Sequence, residues 1–203
     1  MKTNSALSQT NIVAKLEQIF QPDALSQAKR VPSFLVIGYG NSTRGDDAIG
    51  LQVANLIREL ELENVEISTV EQLKPELASK LATVDYAIFV KACQMKNSAV
   101  KVRNLKAYGM ETTGSSVPGY GHSWLPCSLL ALTQSFYGCH PRSWWVEVAA
   151  RDFRTGHSFS DRANQSIPIA VEKIKALIDR GLSGDLVRQS NLLETFPLED
   201  EKI

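Results

Sequence analysis

Along the chain, segments with the apolar pattern of strands alternate with segments in which apolar residues recur with the period of a helix. Short apolar or alternating runs predict strands at 33–39, 65–70, 85–91, 99–107 and 144–149. Stripes with a period of 3.6 residues predict helices after Asp46, from the segment around Pro75, around Leu129 and after Ser160. In the third helix the buried stripe is predicted to be Leu125, Leu129, Leu132 and Phe136, with Gly138 as its end, and Ser160 is predicted to cap the fourth. Strands that alternate with helices in this way predict an α/β fold, in which a parallel or mixed sheet carries helices on both faces.

The two ends of the chain differ from this central region. Residues 6–30 show a helical period that breaks at Pro22, which predicts an N-terminal helical extension over 1–32. Residues 184–203 are polar and end acidic, as in a loosely ordered tail. Residues 33–183 are therefore predicted to form one domain, and the 43% of hydrophobic residues is sufficient for a core.

Composition narrows the classes of function. Lys plus Arg and Asp plus Glu both total 22, so the chain has no basic field to attract nucleic acid or an anionic membrane. The apolar runs are too short to span a bilayer, and no apolar segment follows Lys2 as a signal peptide requires. The three cysteines are odd in number and lack CxxC spacing, which favours a reducing, cytoplasmic setting.

Two adjacent carboxylates, Asp46 and Asp47, follow the first predicted strand. Carboxyl ends of strands in α/β sheets face the crevice in which such folds bind ligands, so the pair predicts a metal or catalytic site. A carboxylate at this position can equally cap the next helix, and both interpretations stay open. Gly38 and Gly40 also fit a nucleotide-binding turn, although residues 41–47 place polar and acidic side chains where a phosphate needs bare N–H groups.

Five motifs in order give the chain a family resemblance. Residues 36–50 read V-I-G-Y-G-N-x-x-R-G-D-D-x-x-G, which resembles the N-terminal signature of the hydrogenase maturation endopeptidases. Segments 72–78, 85–92, 122–132 and 152–160 resemble further motifs of the same family, so that the likeness extends over about residues 33 to 180. The resemblance implies a three-layer α/β/α sandwich with a mixed, mostly parallel sheet of the phosphorylase/hydrolase-like type. It also implies an aspartic-type endopeptidase that removes the C-terminal extension of a nickel-loaded hydrogenase large-subunit precursor.

The same resemblance assigns a site. In the family, two acids and a histidine engage the nickel already held by the precursor, so no permanently bound cofactor is expected. Carried over by position, the first acid is Asp47 and the histidine is His122, both with catalytic and metal-binding roles. Asp46 is expected to act as a cap or turn carboxylate at the rim of the cleft. The residues expected to line the cleft are Gly40, Asn41, Asp46 and Cys93.

Lys91 departs from the family pattern. The third strand ends Val-Lys-Ala where the family has Val-Asp-Ala, and a protonated ammonium cannot ligate a cation and repels it. Glu71, at another strand end, is a candidate replacement ligand. The alternative is an ion pair of Lys91 with Asp47 or Glu71, which gives a metal-free relative. Two functions stay open: the endopeptidase, or an inactive homologue that binds a hydrogenase-related subunit for assembly.

Overall fold

The computed structural model describes residues 30–96, 99–107, 124–156 and 158–185. The chain separates into two units between Val31 and Pro32, and all the elements described below belong to the second unit. The predicted extension at 1–32 and the predicted tail at 184–203 lie almost entirely outside the described residues. The glycine-rich loop at 114–121 and the candidate ligand His122 also lie outside them.

The described residues form five strands, one 3-10 turn and four α-helices. In chain order these are β1 (Phe34–Tyr39), the 3-10 turn Gly45–Ala48, α1 (Ile49–Arg58), β2 (Val65–Val70), α2 (Leu77–Leu81), β3 (Tyr86–Gln94), β4 (Val100–Leu105), α3 (Pro126–Tyr137), β5 (Arg142–Ala150) and α4 (Asp161–Leu182). The strand order is β2-β1-β3-β5-β4, with β4 antiparallel to β5 and all other pairs parallel. The predicted mixed, mostly parallel sheet is therefore confirmed, with β4 at its edge.

The sheet lies between two helical layers. Alternate residues of β1 point to opposite faces, so that Phe34 and Val36 join one core cluster and Leu35 and Ile37 join the other. The first cluster contains buried residues of α1 and α4, and the second contains buried residues of α2 and α3. Every residue of β1 is buried, as expected for a strand covered on both faces. The three-layer α/β/α architecture is confirmed.

Two glycines bring α1 into direct contact with the sheet. A Cβ atom at Gly38 would lie 2.1 Å from the carbonyl oxygen of Gly50. A Cβ atom at Gly50 would lie 2.5 Å from the carbonyl oxygens of Tyr39 and Val90. Because neither position has a side chain, the N-terminus of α1 rests on the ends of β1 and β3. This contact holds the 3-10 turn, with its two aspartates, over the carboxyl edge of the sheet.

The buried face of α3 differs from the predicted one. Leu125 and Phe136 were predicted to face the core, but they are 44% and 76% exposed. Leu129, which the same stripe predicted to be buried, is fully buried, and so is its neighbour Leu130. Apolar residues occupy most sides of this helix, so spacing alone did not determine which side packs on the sheet.

Two predicted boundaries are confirmed. Gly138 ends α3 in the left-handed conformation, with φ of 72°. Ser160 caps α4, because its side chain accepts a hydrogen bond from the backbone N–H of Ala163 at 3.2 Å. None of the helices in the described ranges combines the length and apolar character needed to cross a lipid bilayer.

Candidate functional site

Almost every backbone N–H group in the turn between β1 and α1 already donates a hydrogen bond within the protein. The N–H of Gly40 donates to the carbonyl of Val70, and the N–H of Asn41 donates to Oδ2 of Asp47 at 3.1 Å. The N–H groups of residues 43–47 also donate within the protein, which leaves Ser42 as the exception over 40–47. A phosphate-binding turn offers free N–H groups, so this geometry argues against the nucleotide-binding hypothesis.

Asp46 is a structural carboxylate. Its side chain is fully buried, so the prediction that it lines the cleft was wrong. Its Oδ2 accepts hydrogen bonds from the N–H of Arg151 at 2.7 Å and the N–H of Asp152 at 2.9 Å. Ser160 donates to Asp46 twice, from its hydroxyl to Oδ2 at 2.6 Å and from its N–H to Oδ1 at 2.8 Å. Asp46 therefore joins the turn to the end of β5 and the start of α4.

The same contacts keep Asp46 ionised. Burial alone would raise the pKa of Asp46, but hydrogen bonds from Arg151, Asp152 and Ser160 outweigh burial and hold this pKa below its ordinary value. The hypothesis that Asp46 caps the next helix is not supported, because neither the 3-10 turn nor α1 has a side-chain cap. The expected role as a turn carboxylate fits Asp46, although its partners lie in a distant segment rather than in the next helix.

Asp47 differs from its neighbour in both burial and bonding. Its side chain is half-buried, and Oδ2 accepts the single hydrogen bond from the N–H of Asn41. The other oxygen of Asp47 accepts no hydrogen bond from the described part of the chain. Gly40, with φ of 148°, lies directly against this residue, since a Cβ atom at Gly40 would lie 1.9 Å from the carbonyl oxygen of Asp47. The turn therefore presents one carboxylate oxygen that is free to bind a cation.

Lys91 lies on β3, half-buried, with its Nζ 5.7 Å from the centroid of the Tyr39 ring. Neither of the ion pairs that the sequence suggested, with Asp47 or with Glu71, is present among the described residues. Glu147 is paired with Lys91 in the register of β3 and β5, but it binds Arg103, whose Nη2 lies 2.7 Å from Oε1 of Glu147. The positive charge of Lys91 therefore has no carboxylate bound to it within the described ranges.

Glu71 and Cys93 lie on different sides of this region. Glu71 is exposed in the loop after β2, where it lines a groove of about 630 Å³ together with Gln72 and Lys74. Cys93 lies on the same face of β3 as Lys91, as the alternation of the strand predicted. Burial and the neighbouring carboxylate of Glu147 raise the pKa of the Cys93 thiol.

The described residues contain no group of three His, Cys, Asp or Glu side chains able to hold a metal ion. The assignments of Asp47, His122 and Glu71 as ligands therefore stay predictions. Sequence reasoning missed the polar side chains around Lys91, namely Tyr39, Trp145 and Glu147. A glutamate inside the otherwise apolar strand at 142–150 was the signal that was available.

The fold is shared with solved hydrogenase maturation proteases. The [NiFe] hydrogenase maturation protease HycI from Thermococcus kodakarensis KOD1 is similar with a TM-score of 0.58 and 19% identity, over 81% of this chain and 99% of that protein. The hydrogenase maturating endopeptidase HybD from E. coli gives a TM-score of 0.56 and 20% identity, over 73% of this chain and 93% of that protein. The hydrogenase 2 maturation peptidase from Thaumarchaeota archaeon SCGC_AB-539-E09 gives a TM-score of 0.53 and 19% identity, over 71% of this chain and 97% of that protein.

No protein-family model matches the sequence, and no curated protein sequence matches it. At identities near 20%, the structural likeness concerns the fold. It confirms the architecture that the motif resemblance implied.

Proposed function

We propose that the protein is an endopeptidase of hydrogenase maturation, which acts in the cytoplasm to remove the C-terminal extension of a hydrogenase large-subunit precursor. The observation that carries this proposal is the free oxygen of Asp47 at the carboxyl edge of the sheet, in a fold shared with solved hydrogenase maturation proteases. The buried Asp46 supports it, since this residue fixes the turn that presents Asp47.

In this proposal Asp47 and His122 engage the nickel that belongs to the precursor. A carboxylate oxygen and an imidazole nitrogen are both suitable ligands for this ion. The role of Asp47 is to bind and orient the metal-bearing end of the substrate. Its bond with the N–H of Asn41 holds the carboxylate in one orientation while the second oxygen stays available.

The second candidate is a binding or assembly protein that recognises the same subunit without cleaving it. Lys91 favours this candidate, because its ammonium occupies the position of the family's second acid and no described carboxylate is bound to it. A positive charge there repels a cation at Asp47.

A cleavage assay separates the two candidates. The purified protein is mixed with a hydrogenase large-subunit precursor, either nickel-loaded or nickel-free, and the intact mass of the precursor is followed. We expect loss of the C-terminal extension from the nickel-loaded form alone, and no cleavage with Asp47→Asn. Asp179→Asn, an exposed change on α4, is the matched control and retains cleavage. Stable binding without cleavage supports the second candidate, and neither binding nor cleavage refutes both.

A calorimetric titration with nickel tests the effect of Lys91 directly. We expect weak binding by the wild-type protein and tighter binding by Lys91→Asp, because the substitution removes a positive charge and adds a ligand. Tight binding by the wild-type protein that is lost in His122→Ala would contradict the metal-free candidate.

A further inference from the structure

Three hydrogen-bond donors gather on the face of the sheet that α2 and α3 cover. We call them the donor cluster: the phenol of Tyr39, the ammonium of Lys91 and the indole of Trp145. Lys91 Nζ lies 5.7 Å from the centroid of the Tyr39 ring. Burial raises the pKa of Tyr39, and the nearby indole of Trp145 opposes this shift, so the indole lies close to the phenol. The three groups therefore lie on one face of the sheet, at the end of β1 and on the neighbouring parts of β3 and β5.

The donor cluster has no carboxylate bound to it among the described residues. Nε1 of Trp145 is buried and makes no hydrogen bond of good geometry, although the phenol oxygen of Tyr39 is near enough to interact with it. Nζ of Lys91 makes no hydrogen bond or ion pair with the described residues, and it lies 5.7 Å from the centroid of the Tyr39 ring. Buried indole N–H groups normally have a partner, since leaving one unpaired costs free energy. An anionic acceptor could bind the half-buried ammonium of Lys91 and accept a hydrogen bond from the indole N–H of Trp145.

The carboxylate that is paired with Lys91 in the sheet register is already engaged. Glu147 faces this region and raises the pKa of both Tyr39 and Cys93, but its own ion pair is with Arg103 at 2.7 Å. The Arg103 guanidinium also stacks on Trp145, 5.0 Å from its ring centroid. Lys101, exposed on β4, pairs with Glu147 in the register of the sheet. In the sheet register Glu147 is thus paired with two lysines, Lys91 and Lys101, while its ion pair is with Arg103.

We propose that the donor cluster binds a carboxylate of a protein ligand. The ammonium of Lys91 supplies the charge, and the indole N–H of Trp145 and the phenol of Tyr39 supply directed hydrogen bonds. Where the family pattern places an acid, this chain offers a site to an anion. If the protein acts on a hydrogenase precursor as proposed above, the carboxylate belongs to that substrate. Carboxylate binding itself does not depend on that activity.

NMR titration of the folded protein tests this site. The probes are two short capped peptides, acetyl-Gly-Asp-Gly-amide with a side-chain carboxylate and acetyl-Gly-Gly-Gly with a free C-terminal carboxylate. Acetyl-Gly-Asn-Gly-amide is the neutral control. The indole N–H signal of Trp145, assigned by its loss in Trp145→Phe, is expected to move downfield and to saturate with a carboxylate peptide but not with the neutral one. The peptide that binds more tightly identifies the source of the carboxylate.

Variants of Lys91 decide whether its charge is responsible. We expect Lys91→Met to weaken peptide binding by at least about tenfold, a loss of one charge-assisted hydrogen bond. Lys91→Arg keeps the charge and should retain most of the affinity. Lys173→Met, which removes an exposed lysine from α4, is the matched control and should bind as the wild type does. Far-UV circular dichroism confirms that each variant is folded.

Two results would overturn the proposal. One is a Trp145 signal that neither carboxylate peptide moves, and the other is a shift of the same size and affinity in Lys91→Met. Cleavage is measured separately, so the two proposals can fail independently. A protein that binds carboxylate peptides and cleaves no precursor refutes the endopeptidase alone, and the reverse result refutes the carboxylate site alone.

Discussion

Asp46 and Asp47 are neighbours in the sequence, and replacing each of them with asparagine should separate stability from activity. Oδ2 of Asp46 accepts three hydrogen bonds and Oδ1 accepts one, all from buried or partly buried donors. An asparagine keeps one acceptor oxygen and turns the other into an NH2 group that faces a donor. In Asp46→Asn at least one backbone N–H therefore loses its acceptor, and the remaining bonds lose the negative charge that strengthens them.

The magnitude follows from these bonds. A buried donor left without an acceptor costs about 1–3 kcal/mol, and hydrogen bonds to a charged group are stronger than neutral ones by a comparable amount. We expect Asp46→Asn to lower the free energy of unfolding by about 2–4 kcal/mol, which a domain of ordinary stability, about 5–15 kcal/mol, survives. Asp47→Asn keeps an acceptor for the N–H of Asn41, so its cost should stay below about 1 kcal/mol.

Urea unfolding at neutral pH, followed by tryptophan fluorescence and circular dichroism, measures both free energies. The same two variants are then compared in the cleavage assay. The expected pattern is an unstable Asp46→Asn and a stable Asp47→Asn that does not cleave. The reasoning is refuted if Asp46→Asn unfolds within about 0.5 kcal/mol of the wild type, or if both variants lose equal stability.

At acid pH the free energies of unfolding of the wild type and of Asp46→Asn should differ less than at neutral pH. The folded protein holds the pKa of Asp46 below its ordinary value, so the folded state binds its proton less readily than the unfolded chain does. The resulting stabilisation is complete above the unfolded pKa of about 3.9 and is lost as the pH falls through the folded pKa. The difference in free energy between the two proteins should therefore stay constant near neutral pH and shrink below about pH 4.

Two further predictions concern packing and charge. Gly40→Ala should lower the melting temperature more than Gly156→Ala, because both glycines have φ near 150° but a Cβ atom meets the Asp47 carbonyl only at Gly40; equal losses would show that backbone strain alone matters. Arg103→Met should cost about 1–3 kcal/mol by leaving Glu147 buried without its cation, and adding Glu147→Gln should restore part of it. Fully additive losses in the double variant would contradict this pairing.

Local patterns were sufficient for the fold. The predicted strand at 65–70 coincides with β2, because alternating apolar residues and flanking turns both act within a few positions. The capping role of Ser160 was predictable for the same reason, since a cap and the N–H group that donates to it are three residues apart. The buried face of α3 was not, because apolar residues surround that helix and the sheet determines which of them it covers.

The features of the site that could not be predicted from the sequence depend on contacts between residues far apart in the chain. The partners of Asp46 lie 105–114 residues further along the chain, so no local rule distinguishes it from Asp47. The position of Glu147 opposite Lys91 likewise depends on the register of β3 and β5. The departure at Lys91 was visible in the motif, but the suggested ion pairs with Asp47 and Glu71 are absent among the described residues, and Glu147, opposite Lys91 in the sheet, binds Arg103.

The charge of Lys91 links the proposed carboxylate site to the proposed activity. A carboxylate bound at Lys91 would neutralise the ammonium and remove its repulsion of a cation at Asp47. A substrate that brings both nickel and a carboxylate would thereby supply the negative charge that an aspartate supplies in the family pattern. We therefore expect Lys91→Asp to bind free nickel more tightly than the wild type, yet to bind the precursor more weakly. Calorimetry with nickel and biolayer interferometry with the precursor measure these two affinities. If both rise together in Lys91→Asp, the lysine only obstructs the metal and recognises no carboxylate.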